Sequence, residues 1–350
     1  MKDRRFLLKW ILIVLTLGVF TLVGIYGGLY LLDNKYPNFE SESVLYVYPD
    51  TSFEQLIELV NEGGQPKYKR SVRRVFKKLD IGTKLKAGRY VIKPEHTSIY
   101  VGRMLVAGWQ TPCKLTLSGT IRTKEAIAKK ISAAMMVDSL QVMKAISNND
   151  FLSKYNVDTL SVFSIILPDS YELYWTDSVE QIFDRLKKEY DIFWNDERKA
   201  RASKMGLSPF EVSVLASIVN GESLLAYEYP RIAGVYLNRL RIGMKLQADP
   251  TIAYLYGYKL NRILRAHLNV DSPFNTYKYS GLPPAPINSP RKACIEAVLN
   301  PEKHNYLYFC ASDNFDGSHL FAASYSQHLR NARRFHIALN NRKKLADRSQ

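Results

Sequence analysis

One glutamate closes an apolar helical stripe, where an ionisable side chain is unusual. The run LSPFEVSVLASIVNGES begins with Ser-Pro-x-Glu at residues 208–211, a helix start with a capping box. Helical spacing i, i+3, i+4, i+7 then relates four positions: Leu215, Ile218, Val219 and Glu222. Burial raises the pKa of a carboxyl group, and a carboxyl group still protonated near neutral pH can act as a general acid. Glu222 is therefore a candidate proton donor, although Gly221 weakens the helix and leaves open a frayed, water-facing end.

Further polar side chains are grouped on predicted loops after this helix. They are Gln247 and Asp249 in LQADPT, Asn275, Thr276 and Tyr277 in FNTYKYSG, and His319 in GSHLF. Amide, hydroxyl and aromatic groups suit a sugar, whose hydroxyls need directional hydrogen-bond partners. Each residue taken alone also fits a turn or capping role, and that alternative stays open. No CxxC or HExxH spacing occurs, so we predict no metal site and no cofactor.

A long apolar segment near the start predicts a membrane helix. Residues 10–32 hold 23 positions without a charge, preceded by the basic stretch KDRRFLLK. This run exceeds the h-region of a signal peptide, and the following DNKYP offers no small-residue cleavage site. We therefore favour an uncleaved single-pass anchor over a cleaved signal peptide. The positive-inside rule then places residues 1–9 in the cytoplasm and the chain after about Asp33 on the other side of the membrane. In a bacterium with an inner membrane that side is the periplasm, and a eukaryotic lumen is the alternative that this signal leaves open.

The charge balance and the cysteines bound the partners. A formal net charge of +16 over 350 residues favours a polyanionic partner. Export of the chain across a membrane argues against nucleic acid as that partner. An anionic membrane surface or an anionic wall polymer fits better, while an ordinary solvated basic surface is the alternative. Among Cys113, Cys294 and Cys310, the last two could form a disulfide, whereas Cys113 and Cys310, which lie in apolar strand-like runs, could instead be buried thiols.

The remaining chain mixes helices and strands without regular βαβ alternation, which predicts an α+β fold. Residues 44–109 indicate a small β-α-α-β unit, whose first helix, in TSFEQLIELVNEGG, is predicted to be capped by Thr51. Residues 138–200 look mostly helical, with an interruption at FSIILPDSYELYWT. A strand at HNYLYFCAS and a basic helix from about Ser324 close the chain.

Several long segments resemble the endolytic murein transglycosylases of the YceG-like family. They are LASIVNGES, RIAGVYLNRLRIGMKLQADPTIAYLYG, SPFNTYKYSGLPPAPINSP and HNYLYFCAS, with weaker similarity in LPDSYELYWT and in PDTSFEQLIELV with AGRYVI. The resemblance covers most of residues 44–340. It implies a LysM-like subdomain at 44–109 and a mixed α/β catalytic domain at 113–340, with its core at 205–340.

The resemblance also implies a reaction and its residues. The family's catalytic glutamate falls on Glu222, while Asn220 stands at a position that is often acidic in relatives. Residues expected to line the glycan groove or hold Glu222 are Gln247, Asp249, Asn275, Tyr277, His319, Asp169 and Tyr171. The implied activity is non-hydrolytic cleavage of the MurNAc-β-1,4-GlcNAc bond in nascent peptidoglycan, which leaves 1,6-anhydroMurNAc ends and terminates strand elongation.

Partners and alternatives follow from the same comparison. Glycan strands, the membrane and the wall-synthesis machinery are the implied partners, with no nucleic acid. Two other functions stay open: a non-catalytic peptidoglycan-binding module, and an anchored muramidase-type hydrolase that uses Glu222 and Asp249 as a pair.

Overall fold

The computed structural model describes residues 2–348, so Met1 of the predicted cytoplasmic segment and residues 349 and 350 lie outside the described residues. Helices and three two-stranded sheets make up the described part, which confirms the α+β class. The chain forms two compact units. Unit 1 holds residues 1–113 and 172–176, and unit 2 holds residues 114–171 and 177–350.

The first helix, α1 (Lys2–Asn34), contains the predicted apolar segment and extends past it at both ends. Within it, Phe6–Asn34 is long and apolar enough to cross a membrane, and most apolar side chains of this stretch are exposed. A single such helix near the start of a chain is the pattern that the sequence predicted.

Unit 1 is a small two-layer structure. Its elements are β1 (Ser43–Val47), α2 (Phe53–Gly64), α3 (Lys69–Lys78), α4 (Ile81–Lys84), β2 (Gly88–Ile92) and α5 (Ser98–Ala107). Strands β1 and β2 pair antiparallel, with Ser43 opposite Ile92. The helices pack a buried apolar core against them that includes Val47, Leu56, Val72, Phe76 and Val101.

The predicted cap of α2 is off by one residue. Ser52 caps the helix and forms a capping box with Gln55, whereas the sequence pattern had favoured Thr51. Thr51 Oγ1 instead accepts a hydrogen bond from the Tyr48 backbone N–H at 3.0 Å. Thr51 therefore closes the turn before the helix, and Ser52 satisfies the first free helical N–H groups.

The remaining elements lie in unit 2, except that the strands Cys113–Leu117 and Asp169–Leu173 each contain residues of both units. They are β3 (Cys113–Leu117), α6 (Lys124–Ala134), α7 (Ser139–Ile146), α8 (Asn149–Ser153), β4 (Asp169–Leu173), α9 (Val179–Phe193), α10 (Asp196–Lys204), α11 (Pro209–Glu222), α12 (Tyr229–Arg241), α13 (Asp249–Leu255), α14 (Lys292–Leu299), β5 (Tyr308–Ala311), β6 (His319–Ala322) and α15 (Tyr325–Arg348). Short 3-10 turns lie at Val162–Ser164, Ala226–Glu228 and Arg265–Asn269.

Helix α11 lies at the centre of unit 2. The Ser208–Glu211 capping box and Pro209 in the first turn start it where the sequence predicted. All residues from 212 to 220 are buried, so the helix is enclosed on every side by α12, α13 and α14 and not only along one stripe. The predicted amphipathic face is therefore part of a fully buried helix. Glu222 ends this helix.

The two candidate disulfide partners are both free thiols. Cys294 is buried on α14, and its Sγ–H points to Asn220 Oδ1 at 3.7 Å. Cys310 lies on β5 and is partly buried. Cys113 and Cys310, the two positions predicted to be buried, are each only partly buried.

Candidate active site

Glu222 opens into a cavity of about 220 Å³ in unit 2. Residues from five elements or their connecting loops line it: Glu222, Tyr236, Arg239, Gln247, Asp249, Tyr277, Phe309, Cys310, Ala311 and His319. Five of these were singled out from the sequence, namely Glu222, Gln247, Asp249, Tyr277 and His319. The loops after α12 and α13 and the β5–β6 hairpin therefore converge on the end of α11.

The carboxyl group of Glu222 is held by one direct hydrogen bond. The hydroxyl of Tyr236, on α12, donates to Glu222 Oε1. Burial is the largest influence on Glu222 and raises its pKa to about 7, since the charged form loses hydration. The Tyr236 bond and the charge of Arg239 oppose this rise, whereas the charge of Asp249 adds to it. A carboxyl group with a pKa near 7 can both donate and accept a proton at neutral pH.

Tyr236 is fully enclosed and stays a hydrogen-bond donor. Burial, followed by the charge of Glu222, raises the pKa of its phenol well above the usual value. The ring packs edge-on against Phe309 of β5, with centroids 6.0 Å apart. Tyr236 thus packs in the core through its ring and binds the Glu222 carboxyl group through its hydroxyl.

Arg239 lies one helical turn after Tyr236 on α12. Its guanidinium is buried, with Nε donating to Leu307 O at 2.7 Å and Nη1 to Leu246 O at 2.5 Å. These bonds tie the chain before β5 and the loop after α12 to one rigid group. A guanidinium carries five N–H donors, so others are left for the cavity that Arg239 lines.

Asp249 and Tyr277 form a second hydrogen-bonded pair at the cavity. The Tyr277 hydroxyl donates to Asp249 Oδ1 at 2.5 Å, and Asp249 is the first residue of α13. Burial and this bond raise the pKa of Tyr277, which keeps the phenol protonated. Nearby, Gln247 has a left-handed backbone with φ 48° and donates its N–H to Thr276 O at 3.0 Å. Its side chain is left exposed at the cavity.

His319 is held by a buried glutamate that the sequence analysis did not single out. Glu228, with 1% of its surface exposed, accepts from the His319 backbone N–H and pairs with His319 Nδ1, both at 2.8 Å. Ser223, next to Glu222, donates to the same carboxylate at 3.0 Å. Because Nδ1 is engaged, Nε2 is the ring nitrogen left for a ligand in the cavity.

Three of the residues predicted for the groove lie away from this cavity. Asn275 is fully buried, and its amide donates to Leu268 O and Val270 O. Asp169 forms an ion pair with Lys292, and Tyr171 donates to Leu167 O. Asn275 therefore shapes the loop that carries Tyr277, and the other two stabilise the start of β4. None of these three side chains lines the cavity that contains Glu222.

Three residues of the site were not predicted from the sequence: Tyr236, Arg239 and Glu228. Tyr236 and Arg239 are three residues apart inside the apolar stretch AGVYLNRL, so they share one helical face. An arginine within such an apolar stretch was the sequence signal that could have identified this face as part of the site. Glu228 gave none, because it sits in a 3-10 turn and meets His319 across 91 residues of chain.

The two residues before Glu222 each make a close contact that suits their type. A Cβ at Gly221 would lie 2.6 Å from Pro250 Cβ, so glycine allows the end of α11 to touch the start of α13. Asn220 is buried, and its amide donates to Asn288 Oδ1 at 2.8 Å. A neutral amide fits this enclosed polar contact without a buried charge.

The described residues contain no group of three or more His, Cys, Asp or Glu side chains that could hold a metal ion. The side chains that line the cavity supply two carboxyl groups, two phenols, a guanidinium, an imidazole, an amide and a thiol.

Comparison with known proteins gives consistent relatives. The chain is 35% identical over 151 residues to the endolytic murein transglycosylase of Bacillus subtilis strain 168, covering 43% of this chain and 41% of that protein. It is 32% identical over 171 residues to the protein of that name from Streptococcus pneumoniae D39, covering 47% and 31%. The matches thus span about two fifths or less of these curated relatives.

The fold and the family are established by broader matches. A crystal structure of a YceG-like protein from Listeria monocytogenes shares the fold, with a TM-score of 0.55 at 24% identity, covering 83% of this chain and 99% of that one. The model of the YceG-like family matches residues 45–334, which is most of the sequence. The chain therefore belongs to the YceG-like family.

Proposed function

We propose that this protein is a membrane-anchored endolytic transglycosylase that cleaves the MurNAc-β-1,4-GlcNAc bond of nascent peptidoglycan without adding water. The observation that carries the proposal is Glu222, whose pKa is raised to about 7 inside a cavity lined by sugar-compatible polar groups. The names of the matched relatives support the same reaction class.

A single carboxyl group suffices for this reaction. Protonated Glu222 gives its proton to the glycosidic oxygen, and the bond from that oxygen to C1 of the muramic acid breaks. The C6 hydroxyl oxygen then bonds to C1, and the Glu222 carboxylate takes the hydroxyl proton. The ring closure gives a 1,6-anhydro end and returns Glu222 to its protonated form. A pKa near neutrality suits both steps, because neither protonation state is strongly disfavoured.

The neighbouring groups have separate roles in this proposal. Tyr236 orients the Glu222 carboxyl group and stabilises its charged form after proton transfer. Gln247, Asp249, Tyr277 and His319 contact sugar hydroxyls and the acetamido group from the cavity wall. Asn275, Asp169 and Tyr171 act indirectly, by holding the loop and strand beside the glycan path.

The anchor supports action on newly made strands. In the proposal, α1 crosses the bacterial inner membrane once, with residues 1–9 in the cytoplasm because they are basic. Unit 1 is the LysM-like part and holds glycan, while unit 2 cuts it. An enzyme tied to the membrane reaches strands close to where they are synthesised and terminates their growth there, next to the wall-synthesis machinery.

A hydrolase is the second candidate, because Asp249 lies at the same cavity as Glu222. A muramidase would use Asp249 as the base or nucleophile and add water to C1. The bond from Tyr277 to Asp249 argues against it, since the phenol occupies one oxygen of that carboxylate. A binding module without turnover is the third outcome.

The deciding experiment reads the product ends. The full chain in detergent is incubated with uncrosslinked glycan strands, beside Glu222→Gln and the control Glu125→Gln, which alters an exposed glutamate on α6. The proposal expects anhydro-terminated fragments by mass spectrometry with the wild type and the control, and none with Glu222→Gln. Reducing ends that carry oxygen from labelled water would establish the hydrolase, and intact strands bound by all three proteins would establish the binding module.

A further inference from the structure

The last turn of α1 is clamped to α3 of unit 1. Arg74 donates to both carboxylate oxygens of Asp33, with Nε 2.8 Å and Nη2 2.5 Å away. Ser71, on the same side of α3, donates its hydroxyl to Asp33 Oδ1 at 2.7 Å. A bidentate pair with a third hydrogen bond fixes orientation as well as distance. The apolar helix is therefore rigidly continuous with unit 1.

A buried polar network extends this clamp. Ser71 Oγ and Ser98 Oγ lie 2.8 Å apart, and the Asn38 amide donates to Ser98 Oγ at 2.9 Å. Asn38 Oδ1 also accepts from the Tyr68 backbone N–H at 2.7 Å, just before α3 begins. Asn38, Ser71 and Ser98 are all buried. The segment after α1 is thus fixed to α3 and α5.

The clamp lies at a definite depth if α1 crosses a membrane. The 23 charge-free residues 10–32 form about 34 Å of helix at about 1.5 Å per residue. The hydrocarbon core of a bilayer is about 30 Å thick. Asp33 comes directly after this stretch, so Asp33 and its partner Arg74 lie at the level of the lipid headgroups.

Helix α3 presents a stripe of cations on this same side. Six of its ten residues are Lys or Arg. With about 100° of rotation per residue, Arg70, Lys77 and Lys78 lie within about 60° of the direction of Arg74. We name Arg70, Arg74, Lys77 and Lys78 the basic stripe. The opposite face, with Val72, Val75 and Phe76, is buried in unit 1.

Most of the basic stripe is available for a ligand. Arg70, Lys77 and Lys78 are exposed, and among the described residues none of the three forms an ion pair. Arg74 forms an ion pair with Asp33, and the charge of Lys78 also acts on that carboxylate. Two exposed tyrosines, Tyr36 and Tyr68, lie beside the same Asn38 network.

We propose that the basic stripe of α3 binds anionic phospholipid headgroups of the membrane that α1 crosses, and so seats unit 1 on the membrane surface. The inference rests on the membrane anchor of the proposed function. Anionic lipid is the occupant because the clamp brings the stripe to headgroup level, where phosphate groups are concentrated and complementary in charge. Exposed tyrosines at that level match the aromatic belt of membrane proteins.

The test measures lipid selectivity of the full chain. The protein is reconstituted in phosphatidylcholine vesicles that contain traces of spin-labelled phosphatidylglycerol or phosphatidylcholine, and the protein-immobilised fraction of each label is read by electron spin resonance. We expect phosphatidylglycerol to be preferred about fivefold or more at low salt. This preference falls towards one in 0.5 M salt, which screens surface charge within about 5 Å.

Two triple variants separate the stripe from general basicity. Arg70→Gln, Lys77→Gln and Lys78→Gln together are expected to abolish the preference. Lys129→Gln, Lys144→Gln and Lys199→Gln remove three exposed lysines from unit 2 and are expected to keep it. Glutamine has a helix propensity close to that of lysine and arginine, so both variants keep their helices.

Each other outcome overturns the inference in a distinguishable way. Equal preferences in the two variants would show that the stripe is not the headgroup site. Protein self-association that is lost only in the stripe variant, without lipid preference, would assign the stripe to a second copy of the chain. A chain that fails to float with the vesicles would remove the anchor itself, and the docking with it.

Discussion

The hydroxyl of Tyr236 donates a hydrogen bond to Oε1 of Glu222, across two helices of the buried core. The bond favours the ionised carboxylate and opposes the burial that raises its pKa to about 7. Two residues 14 positions apart therefore set the protonation of the candidate acid. In the proposed mechanism, the pH dependence of catalysis should follow from this pair.

The first prediction concerns the wild-type pH profile. In the proposed mechanism the free enzyme must hold a proton on Glu222, so kcat/KM should be level below about pH 6 and fall about tenfold per pH unit above pH 8, on either side of the pKa of about 7. Initial rates of anhydro-end formation between pH 5 and 9 measure it. A profile that rises through pH 7 would instead make Glu222 a base in the first step.

The second prediction removes the Tyr236 hydroxyl. Tyr236→Phe deletes the bond that stabilises the carboxylate, so the pKa of Glu222 should rise and the alkaline limb should move to higher pH. The later proton abstraction loses orientation, and we expect kcat to fall by about tenfold or more. The control is Tyr229→Phe, on the same helix, whose hydroxyl accepts from Arg291. An unmoved alkaline limb in Tyr236→Phe would separate Tyr236 from the titration.

The third prediction is that Glu222→Gln stabilises the folded protein at alkaline pH but not at acidic pH. In the folded state the pKa of Glu222 is raised from 4.5 to about 7, so folding favours the protonated form. Below about pH 4.5 both states are protonated, and the stabilisation is lost as the pH rises towards 7. Glu222→Gln should therefore raise the free energy of unfolding at pH 8.5 by about 2 kcal/mol. This value is smaller than the full pKa shift would give, because the Glu222 side chain opens into the cavity, where solvent screens its charge. It should change little at pH 4.5.

Thermal unfolding of the full chain in detergent at the two pH values checks this prediction. Glu125→Gln, at an exposed position, should leave the melting temperature unchanged at both. A variant Glu222→Gln that melts below the wild type at pH 8.5 would mean that the carboxylate stabilises the fold and that burial is not its main environment.

The sequence predicted α11 well because its signals are local. The capping box at Ser208 and Glu211 acts within one turn, and it starts the helix in the structure as expected. Spacing along the same helix made Glu222 a candidate, and the resemblance to the YceG-like family gave it the catalytic role. Local spacing says which way a side chain points on its own element. It does not say which other element it meets, and so Tyr236 and Glu228 were missed.

Residues on loops were harder to interpret from sequence. Gln247 and Tyr277 do line the cavity, yet Asn275, two residues before Tyr277, uses its amide to hold neighbouring backbone carbonyls. A short polar side chain in a loop satisfies nearby backbone groups first, because an unpaired buried carbonyl is destabilising. Residue type alone cannot separate these two uses.

The fourth prediction tests the contact between the helices that carry Glu222 and Asp249. In Gly221→Ala the new Cβ would lie 2.6 Å from Pro250 Cβ, so the end of α11 and the start of α13 must separate. A displacement of about 1 Å can reduce turnover about 100-fold. Overpacking should also lower the free energy of unfolding by about 1–3 kcal/mol.

Gly82→Ala is the matched control for this change. Gly82 is also helical, and a Cβ there would meet only Phe53 Cβ, at 3.9 Å. Activity and unfolding measured on both variants separate a general effect of adding a methyl group to a helix from the local contact. Full activity in Gly221→Ala would show that α11 and α13 adjust without moving the site.

The fifth prediction tests whether Glu228 acts through His319. Glu228→Gln keeps one acceptor oxygen for the His319 backbone N–H but loses the acceptor for His319 Nδ1 or Ser223 Oγ. We expect a loss of about 1–3 kcal/mol in unfolding free energy, because buried donors are left unpaired. If the Glu228 carboxylate also sets the orientation of the His319 imidazole, kcat/KM should fall by more than the loss of folded protein explains.

A double-mutant cycle with His319→Gln isolates that part. When Glu228 works through the imidazole, Glu228→Gln should lower kcat/KM about tenfold in the wild type and hardly at all once His319 is already replaced. Independent losses that add in the double variant would limit Glu228 to supporting the β5–β6 hairpin. The assays are run well below the unfolding temperature, so that the folded fraction is equal in all variants. The cycle then reports the orientation of His319 Nε2 toward the proposed glycan.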